Sequence, residues 1–215
     1  MKKHLFIDID QTLLEVINGD NGYFKYIEKE LGTPASIEDK NCFKLTGRVL
    51  DSVHTTKFFT KDIDYSKAPT TALFQEKILF EVNTGDSIII GTVNLDSSTV
   101  AEDKEDRVRL LLLPTCYSEF SSATQKTLDW FETILTINEK GERCVISIFE
   151  DDLQTIKDMM AMIEEQDAMI PIIKFVINID LEHLERFFTE VTDKPKAKNY
   201  IIEAFKSRKD SPWKR

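Results

Sequence analysis

An α/β fold built on a parallel sheet follows from three features of this 215-residue sequence. Short apolar runs recur along the chain (HLFIDI, SIIIGT, CVISIFE, PIIKFVINI), each bounded by polar or turn residues, as strands buried on both faces are. Segments with helical spacing of apolar residues stand between them. Strands that alternate with helices need crossover connections, and crossovers give a parallel sheet with helices on both sides, three layers in all.

The first run, His4 to Ile9, is apolar apart from Asp8 and leads into a polar loop, so its carboxylates sit at a strand's C-terminal end. Tyr23, Phe24, Tyr26, Ile27 and Leu31 then recur at helical spacing before Gly32, Pro34 and a mixed polar stretch to about Ser66. This predicts a small, mainly helical insert over residues 16–66. Thr70 to Val82 has a helical pattern through Leu73, Ile78, Leu79 and Val82; NTGD is a turn and SIIIGT a second buried strand. AEDKEDRV suits an exposed helix capped by Ser97, Ser98 or Thr99, and RLLLLP reads as a third strand, with continuation of the helix as the alternative. SSATQKTLDWFETIL predicts a helix with Leu128, Phe131, Ile134 and Leu135 on one face and Lys126 in its first turns. RCVISIFEDD is a strand ending in three acids, LQTIKDMMAMIEE an amphipathic helix, and PIIKFVINI a further strand. The division expected is a core of residues 1–15 and 67–180, the insert, and an extension over 181–215 that is basic from about 194.

Thirty-eight acidic against 28 basic residues give a net charge of −10, which argues against a general grip on nucleic-acid backbone. Residues 194–215 run the other way, with eight Lys or Arg against Glu203 and Asp210, and read as a solvated helix end. Cys42, Cys116 and Cys144 lack the close pairing of a zinc or redox motif, which suits a reducing compartment. The apolar run in MKKHLFIDIDQTLLEV is interrupted by Asp8 and Asp10, so it fits neither a signal peptide nor a membrane span; a cytoplasmic protein with no membrane contact is expected. No glycine-rich phosphate loop is present in a strand–loop–helix context.

Ligands of parallel sheets bind beyond the carboxyl ends of the strands, where Asp8, Asp10, Thr92 and Glu150 to Asp152 are expected to converge. Asp8 and Asp10 close an apolar strand, where unpaired charge is costly, so they need a cation or a proton. Mg²⁺ prefers such hard oxygen ligands and usually also takes water and phosphate oxygens. Among Glu150, Asp151 and Asp152, a helix cap accounts for one acid but not for three.

The segment Asp8-Ile9-Asp10-Gln11-Thr12 after an apolar strand resembles the first motif of the haloacid dehalogenase superfamily, D-x-D-x-T, although the family commonly has Gly where Gln11 stands. SIIIGT resembles its second motif with Thr92, Thr115 after RLLLLP being a competing match. Lys126 resembles the motif lysine, with Lys140 the weaker candidate, and VISIFEDD resembles the fourth motif with Glu150 and Asp151 in the acidic pair. Motif spacing is also similar to that of the 5′(3′)-deoxyribonucleotidase branch. The resemblance implies a Rossmann-like core with a type-one cap at the insert and a phosphoaspartate mechanism. Asp8 would attack phosphorus, Asp10 would protonate the leaving oxygen and then activate water, and Thr92 and Lys126 would bind the phosphoryl group. Mg²⁺ would be held by Asp8, Asp10 through its main-chain carbonyl, Glu150 and Asp151. The substrate implied is a small phosphate ester, nucleotides included. The alternatives are a polynucleotide end phosphatase guided by the basic tail and a noncatalytic binding module, for which Gln11 and Glu150 leave room.

Overall fold

The computed structural model describes residues 1–46, 51–85, 87–91, 98–112, 117–121, 125–166, 168–178 and 200–205. Six strands, β1 (Lys2–Ile7), β2 (Ser87–Gly91), β3 (Tyr117–Ser121), β4 (Cys144–Glu150), β5 (Ile172–Ile177) and β6 (Tyr200–Ala204), form one sheet. Every neighbouring pair is parallel, and the order is β3-β2-β1-β4-β5-β6. The chain therefore winds outward from β1 in one direction and from β4 in the other. This is the doubly wound order, compatible with a Rossmann-like fold, and its crevice opens between the carboxyl ends of β1 and β4.

Alternation along the central strands divides the core into two layers. Leu5 and Ile7 of β1 point into one apolar cluster and Phe6 into the other. The first cluster is completed by Leu73, Ile78 and Val82 from the helical segment that ends in a π-helical stretch (Phe74–Ile78) and α4 (Leu79–Val82), and by Val108 and Leu112 of α5 (Ser98–Leu112). The second is filled by Trp130, Ile134 and Ile137 of α6 (Lys126–Glu139) and by Ile156, Met159, Met160 and Ile163 of α7 (Leu153–Glu164). Phe6 meets Trp130 edge to face at 5.6 Å, the arrangement favoured by the ring quadrupoles.

The insert carries α1 (Tyr23–Leu31), α2 (Ile37–Thr46), α3 (Ser52–Lys57), a π-helical stretch (Phe58–Asp62) and a 3₁₀ turn (Tyr65–Lys67). Helix α1 ends at Gly32, whose φ of 64° is the left-handed cap conformation that glycine adopts without a Cβ penalty. Tyr23, Ile27, Phe58 and Tyr65 pack in the same cluster as Leu13, Leu14 and Ile7. The insert thus shares its apolar interior with one face of the core, and the aromatic residues of this region are chiefly packing.

Several expectations are corrected. Arg109 to Leu112 are not a strand but end α5, the alternative reading: Val100, Lys104, Val108 and Leu112 form a buried row at four-residue spacing, while Glu102, Asp106 and Leu110, which a strand would set on the same face, are exposed. For the same reason AEDKEDRV is exposed on one side only. The third strand is instead YSEFS. Helix α6 buries Lys126, Trp130, Ile134 and Ile137, while Leu128, assigned to the apolar face, is 53% exposed. Finally, the sheet continues past residue 180. The expected helix end in the basic extension gives way to β6, which pairs with β5 and is tied by Glu203 to Lys174 at 2.6 Å and to Lys77. No helix among the described residues is long and apolar enough to cross a membrane.

Candidate metal and phosphoryl site

The site grows out of the β1–β4 pairing. Register sets Ile7 opposite Phe149, and the Asp8 amide donates to the Phe149 carbonyl at 3.0 Å. Asp8 therefore leaves β1 beside Glu150, the last residue of β4, at the crevice that the doubly wound order creates.

Beyond Asp8 the chain turns sharply. The amides of Leu13 and Leu14 both donate to the Ile9 carbonyl, at 2.8 and 2.9 Å, and the Gln11 amide donates to the Leu14 carbonyl at 2.7 Å. Gln11 takes φ 60° in this turn, a left-handed conformation that costs an ordinary residue about 1–2 kcal/mol. Its side chain supplies the compensation: Oε1 accepts from the amides of Val16 at 2.7 Å and Ile17 at 3.0 Å, while the Gln11 carbonyl accepts from Asn178 Nδ2. A glutamine is thereby accommodated in a turn conformation that favours glycine. Gln11→Ala keeps the backbone cost and takes the acceptor from the buried Val16 amide, while the Ile17 amide retains Glu15 Oε1 at 3.2 Å. It is expected to lower unfolding stability by about 1–3 kcal/mol in a urea titration. Gln11→Gly, which relieves the backbone, should lose less.

Lys126, the first residue of α6, is buried with its Nζ 2.7 Å from Asp8 Oδ1 and 2.7 Å from Glu150 Oε2. It also lies 5.3 Å from the centroid of the Trp130 ring. The second Glu150 oxygen, Oε1, accepts from the amides of Asp151 at 3.2 Å and Asp152 at 3.1 Å. Asp152 caps α7, accepting from the Gln154 amide at 2.9 Å and from Thr155 Oγ1 at 3.2 Å, and so is the one acid of the three that helix capping explains. Thr12 Oγ1 stands 3.5 Å from Asp151 Oδ1, and the Thr12 carbonyl accepts from Thr71 Oγ1.

Asp8, Glu150 and Asp151 each offer a carboxylate oxygen, and these atoms lie within 4.8 Å of one another, so the triad could hold a metal ion. The donors are hard oxygens, which suit a hard cation. Formal charge agrees: with all three carboxylates ionised, as metal binding requires, and Lys126 paired to Asp8 and Glu150, two negative charges remain, the complement of a divalent ion. The Asp10 carboxylate stands outside this triad. It accepts instead from Lys104 Nζ at 2.7 Å and from Tyr65 OH at 3.1 Å. Lys140 is exposed at the far end of α6, so of the two motif candidates Lys126 is the one at the crevice. Thr92 and Thr115 lie outside the described residues; β2 ends at Gly91, immediately before Thr92.

The electrostatics follow from burial. Burial raises Asp8 above the usual carboxylate range, Lys126 opposes the rise, and Asp10 adds to it. Burial and then the neighbouring Asp8 push Glu150 up to about 7. Asp151 is raised well above its ordinary value by burial and then by Glu150. Burial alone would lower Lys126, but the attractions of Asp8 and Glu150 outweigh it and hold the ammonium firmly protonated. Because the folded state prefers protonated Glu150, it binds more protons than the unfolded chain between the ordinary glutamate value of 4.5 and about 7. Stability contributed at this position is therefore present at low pH and lost as pH rises through that window. In metal-free buffer the urea midpoint of the wild type is expected to fall between about pH 5 and about pH 8 relative to Glu150→Gln, with Mg²⁺ reversing the fall. Parallel pH profiles for the two proteins would contradict this.

Two residues at the site, Lys104 and Tyr65, carried no motif in the sequence; the only trace was a lysine standing in an otherwise aliphatic four-residue row. Comparison of the chain with family models, with curated proteins and with solved structures returned no match.

Proposed function

We propose that the chain is a Mg²⁺-dependent phosphomonoester hydrolase of the haloacid dehalogenase type, acting on small phosphorylated substrates, nucleotides among them. The observation that carries the reading is the Lys126 ammonium shared between Asp8 and Glu150 beside Asp151, at the carboxyl ends of the two central strands. A carboxylate nucleophile, a fixed cation and a set of hard oxygen donors in one crevice are what phosphoryl transfer needs.

In the first step an Asp8 carboxylate oxygen forms a bond to phosphorus, the phosphorus–ester oxygen bond breaks, and Asp10 gives its proton to the departing oxygen. In the second, Asp10 takes a proton from water, the water oxygen bonds to phosphorus, and the phosphorus–Asp8 bond breaks to release inorganic phosphate and the free carboxylate. Lys126 keeps Asp8 aimed and offsets charge on the phosphoryl oxygens; the hydroxyl of Thr92, following β2, is the proposed hydrogen-bonding partner of the same group. Asp8, Glu150 and Asp151 would hold Mg²⁺, which supplies charge neutralisation for the phosphoryl group when bound.

Phosphate release from a panel of nucleotide and sugar phosphates, with Mg²⁺ and with EDTA, tests the reading. Metal-dependent release on part of the panel is expected. A folded protein that releases phosphate from no member, or releases it equally in EDTA, would overturn the proposal and favour a binding module.

A further inference from the structure

Lys104 is wholly buried, yet the row it belongs to is otherwise Val100, Val108 and Leu112. On stability alone that place asks for an aliphatic side chain: burying an ammonium costs several kcal/mol, and a well-packed apolar residue of similar volume usually serves as well or better. The ammonium is directed at one carboxylate, with Nζ 2.7 Å from Asp10 Oδ2. It also sits 5.0 Å from the centre of the Tyr65 ring, and the Tyr65 hydroxyl donates to the same carboxylate, 3.1 Å from Oδ1 and 3.3 Å from Oδ2. Both donors are buried, and they come from different parts of the fold, Lys104 from α5 of the core and Tyr65 from the last turn of the insert.

Asp10 needs such support. It follows β1 in the irregular turn, where an isolated bridge to Leu14 stands in place of a strand ladder, and its side chain keeps 16% exposure. We propose that Lys104 and Tyr65 are positioning residues that fix the direction of the Asp10 carboxylate, so that Asp10 meets the oxygen leaving phosphorus only while the insert's last turn is packed against α5. The inference rests on the phosphoryl-transfer reading of the site. Each acts through the Asp10 carboxylate that it contacts, and neither is assigned a contact with phosphorus or with the leaving oxygen.

Two variants separate this role from packing. Lys104→Met keeps the unbranched apolar stem and removes the charged end, and Tyr65→Phe removes a single hydroxyl from a ring that stays in place. On an alkyl phosphate ester found in the substrate panel, kcat is expected to fall about 100-fold for Lys104→Met and about 10-fold for Tyr65→Phe, with KM within about 3-fold of wild type, as for a misplaced reacting group. Combined with Asp10→Asn, each substitution should cost less than about 2-fold more, because its only route to the chemistry is gone. Losses that multiply in the double variants, or that fall on KM, would assign both residues to packing and overturn the inference. Should Lys104→Met fail to fold, Tyr65→Phe carries the same comparison. Crystal structures of the variants give a readout independent of turnover: the Asp10 carboxylate is expected to leave its wild-type rotamer, and an unmoved Asp10 in both would overturn the inference whatever the rates. A wild-type protein that hydrolyses no ester would defeat the proposed function, while the Asp10 rotamer would still decide the positioning role.

Discussion

Lys126→Met is expected to destabilise the metal-free protein by about 3–5 kcal/mol, the usual cost of removing one partner from a buried ion pair. The loss has an identifiable source. Asp8 and Glu150 are 3% and 1% exposed, each is 2.7 Å from the same ammonium, and burial already holds both above the ordinary carboxylate range. Without Lys126 the triad loses the cation hydrogen-bonded to Asp8 and Glu150, so the variant should depend on added divalent metal for its fold far more than the wild type does. Urea unfolding with EDTA and with millimolar Mg²⁺ checks this: a variant as stable as wild type in EDTA would mean that the site is solvated and that Lys126 is not its counterion. Phosphate release should also fall, and by more than Mg²⁺ restores, because the cation that aims Asp8 is gone.

Asp8→Asn carries the second large effect, and its two readouts move in opposite directions. On the proposed mechanism turnover is expected to fall on the order of 10⁴-fold or more, because an amide cannot form the phosphoaspartate. No acid-stable labelled phosphoprotein should be trapped from the variant. Stability in EDTA should rise, since the folded state disfavours the ionised Asp8 and an amide of the same shape removes that charge while Lys126 keeps Glu150 as its partner. A functional site built at the expense of stability behaves in this way, whereas an acid that merely completes a structural ion pair would lose stability on neutralisation. Residual activity within about tenfold of wild type would remove Asp8 as nucleophile.

The sequence disclosed what depends on local pattern. β1, β2, β4 and β5 are short apolar runs bounded by polar residues, and such runs announce buried parallel strands. Asp8 and Glu150 were placed at strand ends by the same reasoning, and the doubly wound order brings those ends together. Elements whose pattern belongs to tertiary context were not legible. YSEFS lacks an apolar run, and Tyr200–Ala204 is embedded in a basic tail, so β3 and β6 left no clear signal. RLLLLP misled because four consecutive leucines conceal a period, and only the wider row from Val100 shows that it is helical. Lys104 and Tyr65 reach Asp10 from positions 94 and 55 residues away, and no local rule connects them.

The central position of β1 bears on how the molecule is assembled. Its register pairs His4 with Ser87 and Lys2 with Cys144, so both neighbours of the innermost strand are remote in sequence, and no hairpin can start the sheet. Loop closure must precede any reward from strand pairing, which slows folding and leaves the apolar strand HLFI exposed to other chains in the meantime. Asp8, Lys126 and Glu150 meet only after β1 and β4 have joined. After dilution from denaturant, helical signal should therefore return well before metal affinity, and the yield of refolded protein should fall as chain concentration rises.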